Sequence, residues 1–170
     1  MKYFYFVLAV AAAAGLTGCG QGGAAGYQNT WLHPQEISSV YVEMFDTGGF
    51  RRGYEFELTD AVCKRIEAQS PYKIVSDRSL ADSILSGTVT AGSGVVAGDR
   101  YTGRALERET FVQVRVTWKN LKTGRLMLDN EMVYASASYA DQLGQTFDSA
   151  AGAALNKAAQ KVVELMEQPW

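Results

Sequence analysis

The sequence holds one histidine, two cysteines and no excess of basic charge, and each shortage closes off a class of chemistry. The single histidine, His33, sits near the end of a glycine-rich stretch, which leaves the folded part without the imidazole of a Ser-His-Asp or Cys-His site. Cys19 and Cys63 cannot supply the clustered ligands that zinc needs, so no metal and no cofactor are expected. Lys and Arg together number 16 against 18 Asp and Glu. A nucleic-acid binder presents a basic surface, so nucleic acid is not an expected partner. No internal repeat is visible. What remains is the balance of an ordinary globular protein, with 47% apolar and 20% charged residues. At 170 residues the chain has room for a leader and one domain.

The first residues have a different character. Met1-Lys2 makes a short positive start, and Tyr3 to Ala14 is an apolar run too short for a comfortable membrane span. "LTGC" follows, and it resembles the lipobox of bacterial lipoprotein signals. Leu16 stands three positions before the cysteine, and small residues flank the expected cut. This resemblance implies a signal peptide over 1–18, acylation of Cys19, and a flexible tether over 19–36 that anchors a single domain over 37–170. Two or more acyl chains hold a protein stably where one is marginal. Removing Lys2 with the leader leaves 15 basic and 18 acidic side chains, a net of −3. Gly20 rather than Asp follows the cysteine, which points to the outer membrane. With Cys19 acylated, Cys63 has no partner and reads as packing on a helix.

The periodicity of the remaining chain predicts a β-α-(β)-β-β-β-α order. Val40 to Phe45 reads as the strand that starts the folded part. Tyr54, Leu58, Ala61, Val62 and Ile66 fall on one face of a helix over 54–69, with Glu55 and Glu57 off that face and Ser70-Pro71 ending it. "YKIVS" is a short apolar run, and Asp82 to Ala97 a strand whose glycines suggest bulges or a curved edge. "GDRYTGRALERE" reads as a polar loop before the clearest strand, Phe111 to Leu121. There Val112, Val114, Val116 and Trp118 alternate with polar residues. "LKTGR" is a hairpin turn with Gly124 placed for positive φ, and Leu126 to Ser138 the returning strand. A second helix over 145–167 carries a stripe of Phe147, Ala151, Ala154, Ala158, Val162 and Leu165. A parallel crossover and antiparallel hairpins together predict an α+β fold: a mixed sheet of about four strands with two helices on one face.

Asp129 and Glu131 are the best carboxylate pair. A turn centred on Thr123 would set Arg115 opposite Glu131, so a cross-strand ion pair explains them better than acid-base catalysis. "GSGVVAG" lacks the Gly-Lys-Ser/Thr ending of a phosphate loop. Neither stretch supports an enzyme.

The order of segments from "VYVEMF" through "YEFELTDAVCKRI", "YKIVSD", "ADSILSGTV" and the Ala-rich final helix resembles LptE, the lipopolysaccharide-assembly lipoprotein family. Glu55, Leu58, Thr59, Ala61 and Val62 carry one motif, and Ala81, Asp82, Ile84, Leu85, Gly87 and Val89 another. The resemblance implies a non-enzymatic outer-membrane lipoprotein facing the periplasm. It would assemble with and plug an LptD-type barrel and assist lipopolysaccharide insertion. Basic loop residues contact lipopolysaccharide in that family, and here Arg100 and Arg104 occupy the loop; "YADQLGQTF" has no matching lysine. A lipoprotein activator of cell-wall synthesis, or another secretion-associated lipoprotein, would share this plan.

Overall fold

The computed structural model describes residues 33–49 and 52–167. Cys19, the leader and most of the proposed tether lie outside the described residues. Strands β1 (Ser39–Val42) and β2 (Asp46–Thr47) precede helix α1 (Tyr54–Gln69). Then come β3 (Lys73–Ile74), β4 (Ser83–Gly98), β5 (Ala105–Asn120), β6 (Leu126–Tyr139) and helix α2 (Phe147–Leu165). The sheet runs β3-β1-β4-β5-β6, with β2 also paired to β4. The class is the expected mixed α+β sheet with two helices. The strands number six among the described residues because two short ones of two residues each join it.

Strand β1 lies parallel to both β3 and β4, and β2 takes over beside β4 where β1 ends, through Asp46↔Thr88 and Thr47↔Val89. The β4–β5 and β5–β6 pairs are antiparallel. Alternation sorts the side chains: Leu85, Val89, Val112, Val114, Val116, Trp118, Val133 and Ala135 are buried on the helix side. Arg115, Gln113, Met132 and Tyr134 lie on the other side and are exposed.

Helix α1 has the predicted bounds. Gly53, at φ 110, precedes it, and the Gly53 N–H donates to the Glu55 carboxylate at 2.8 Å. Glu55 is therefore buried at the helix start rather than on the solvent face, because it satisfies a backbone donor that the helix leaves open. At the other end Ser70 donates from both N and Oγ to the Ile66 carbonyl, and Pro71 cannot continue the helix. Helix α2 starts from a Thr146–Ser149 capping box. Its buried alanines at 150, 151, 154, 158 and 159 let it lie close to the sheet and to α1.

Four local expectations are corrected. Strand β5 begins at Ala105, so the polar loop shrinks to a turn at 99–104. His33, read as tether, is buried edge-on against the Tyr72 ring, with centroids 5.3 Å apart. Arg115 lies opposite Met132, and Glu131 opposite Val116. The expected register holds at Trp118↔Leu128, but a bulge follows in which Asn130 takes φ 51. That extra residue moves Glu131 to the other side of the sheet. Gly87 and Gly92 pair regularly in the ladder; the irregularity lies between Val95 and Gly98. They are glycine because the Phe45 and Phe111 rings lie where a Cβ would stand.

Candidate functional site

The β4–β5 turn is built around Asp99. Its carboxylate accepts from the Tyr101 N–H at 2.8 Å, the Thr102 N–H at 3.4 Å and the Thr102 hydroxyl at 2.8 Å. These bonds, the Tyr101 amide first, hold the Asp99 carboxyl below its usual range. The Asp99 N–H donates to the Arg104 carbonyl at 2.9 Å, and Gly103 takes φ 67 to close the turn. The backbone that carries Arg100 and Arg104 is thus fixed by its own side chains.

Both arginines are exposed, and neither side chain has an ion-pair partner among the described residues. Arg108 is different. Its Nε stands 3.0 Å from Asp141 Oδ2, on the helix side of the sheet. The turn therefore offers two cations on one internally hydrogen-bonded loop. Tyr101 between them is 99% exposed, and Val95, Val96 and Leu106 are exposed on the flanking strands. A cleft of about 420 Å³ lies alongside, lined by Ala97, Leu106, Tyr139 and Leu143 among others. The sequence located the arginines but not this apolar surround. Leu106 was hidden in an apparent loop, and Leu143 belongs to a short 3-10 turn.

A larger groove of about 1000 Å³ opens at the opposite end of β5, where Trp118, Met127, Leu128, Leu165 and Met166 line its apolar side. Among the described residues no group of His, Cys, Asp and Glu could hold a metal ion. None of the described helices is long and apolar enough to cross a membrane.

The LptE family model, described as lipopolysaccharide-assembly, matches residues 37–168. The chain belongs to the LptE family. LptE proteins are non-enzymatic lipopolysaccharide-assembly lipoproteins of the outer membrane. The fold agrees: lipoprotein B from Nitrosomonas europaea superimposes with a TM-score of 0.59 at 11% identity, over 85% of this chain and 89% of that one. Rare lipoprotein B from Shewanella oneidensis gives 0.51 at 14% identity, over 76% and 93%. A search of curated proteins finds no match.

The family motifs acquire physical roles in this setting. Glu55 caps α1. Thr59 Oγ1 donates to the Glu55 carbonyl at 2.6 Å and accepts from the Phe45 N–H at 3.1 Å, which ties the chain after β1 to the helix. Asp82 gathers the Ser38 and Ser39 amides, the Ser38 hydroxyl and Lys122. In this LptE chain both motifs build the fold, and the exposed arginine turn stands apart from them.

Proposed function

We propose that this chain is an outer-membrane lipoprotein, anchored through acylated Cys19 and facing the periplasm. It seats itself in the lumen of an LptD-type barrel, supports that barrel's assembly, and assists lipopolysaccharide insertion by binding rather than by catalysis. The observation that carries this reading is the family match, which runs from before β1 to beyond α2. The arginine turn supports the second half. A guanidinium fork fits lipid phosphate groups, and both Arg100 and Arg104 are free to offer one. Their exposed apolar neighbours suit acyl or sugar surface.

Replacing Arg100 and Arg104 together by Asp tests the site. The turn should persist, because its hydrogen bonds use the Arg104 backbone and the Asp99 carboxylate. Lipopolysaccharide affinity at fixed salt should fall at least about tenfold, since one charge-assisted contact contributes about 1.5–3 kcal/mol. Unchanged affinity in a variant with native circular dichroism would leave these arginines as ordinary loop charges.

A further inference from the structure

Strand β6 is the outer strand at one end of the sheet, and its free backbone groups can be located. The Leu121 N–H donates to the Asp82 carbonyl at 2.8 Å. In an antiparallel ladder this directs odd-numbered residues of β5 toward β4 and even-numbered ones toward β6. Val114↔Val133 and Val112↔Ala135 are therefore bonded pairs, and Tyr134 and Ser136 turn their N–H and C=O groups outward. Both outward carbonyls are occupied. Lys161 Nζ donates to the Tyr134 carbonyl at 2.8 Å, and Lys157 Nζ to the Ser136 carbonyl at 2.9 Å.

The match is geometric. Residues four apart on a helix are separated by about 6 Å along its axis. Alternate residues of a strand are separated by about 6.8 Å. With α2 running against the direction of β6, one turn of helix spans two successive outward carbonyls. Ala153, one turn earlier, and Leu165, one turn later, carry no donor, so the cover ends there.

We propose that Lys157 and Lys161 guard the β6 edge against strand pairing with a second copy of this chain. A long uncovered edge is a template for another strand, and lysine is a common means of blunting it. A second copy is the fitting intruder because β6 meets its own counterpart as a self-complementary two-fold contact, each strand offering the other the same outward groups. The guard works twice in that contact: its ammonium groups hold the carbonyls, and pairing would bring four lysines together.

The test is the mass of the purified chain by size exclusion with light scattering, over a range of concentrations, with amide exchange read at Tyr134 and Ser136. The wild type and Lys157→Arg with Lys161→Arg should be monomeric with unprotected Tyr134 and Ser136 amides. Lys157→Ala with Lys161→Ala should double in mass as concentration rises and protect those amides. Adding Ser136→Pro removes an outward N–H without breaking a β5 bond, and should restore the monomer. Should the alanine pair lose its native circular dichroism, the same readings apply to Lys157→Met with Lys161→Met, which keeps the apolar stems and removes the donors. A wild type already paired through β6, a folded unguarded variant that stays monomeric, or association that survives Ser136→Pro would each overturn the proposal.

Discussion

Asp82 shows how much of this fold hangs on single side chains. Its carboxylate takes the Ser38 N–H at 2.9 Å, the Ser39 N–H at 3.2 Å and Lys122 Nζ at 2.6 Å, while its own N–H donates to Ser39 Oγ at 2.9 Å. One residue thereby clasps the start of β1, the start of β4 and the β5–β6 turn. The Lys122 contact first, then the Ser38 bonds, hold the Asp82 carboxyl well below the usual carboxylate range. A depressed pKa contributes stability that is present above the unfolded value of about 3.9 and is lost as pH falls below it. Asp82→Ala should cost about 1–3 kcal/mol at pH 7, because it takes the acceptor from two part-buried backbone donors and the partner from Lys122. Asp82→Asn should lower Tm at neutral pH and flatten the decline of Tm between about pH 4 and pH 2. Thermal unfolding across pH reads both; a variant that melts and titrates like the wild type would remove Asp82 from this role.

At the scale of elements, the two glycines of β4 make contrasting predictions. A Cβ at Gly87 meets the Arg115 carbonyl and the Phe45 ring, which is buried between sheet and α1. The atoms nearest a Cβ at Gly92 are those of the Phe111 ring, on the open face and partly exposed. Gly87→Ala should therefore destabilise by about 2 kcal/mol or more, and Gly92→Ala by about 1 or less, since Phe111 can turn toward solvent. Chemical denaturation measures the two midpoints, and equal losses would contradict the assignment of faces. These glycines looked like bulges in sequence because a ring covering a glycine comes from elsewhere in the chain. Helix α1 was legible to its last residue, since its stripe, Ser70 and Pro71 are all local signals. The alternation of Val112 to Trp118 was equally plain. The start of β5 was not: Leu106 to Glu109 mixes charges with one leucine, and its inward Arg108 is accommodated by Asp141, thirty-three positions away. The bulge at Asn130 was hidden for a related reason. Asn tolerates positive φ but does not demand it, so nothing local announced the shift that separates Arg115 from Glu131.

For the whole molecule, the sequence disclosed more of the family than of the site. The order of segments was enough to suggest LptE, whereas the isolation of Arg100 and Arg104 from Arg108 depends on where the turn ends and on β5 carrying Arg108 inward to Asp141. The anchor is a property of the full chain. Cys19→Ser should be released from membranes by detergent-free washing when no partner barrel is present, because none of the described helices could hold it there. Retention of that variant, measured by fractionation, would place the attachment elsewhere. A guarded β6 edge also suits the proposed seating of a single copy in a barrel. The most direct measurement is affinity purification of the full-length protein from detergent-solubilised outer membrane, with mass-spectrometric identification of its largest stoichiometric partner. An integral β-barrel of the LptD type, recovered at one copy per copy of this chain, is the predicted result. Recovery of a peptidoglycan synthase, or of this chain alone, would contradict it.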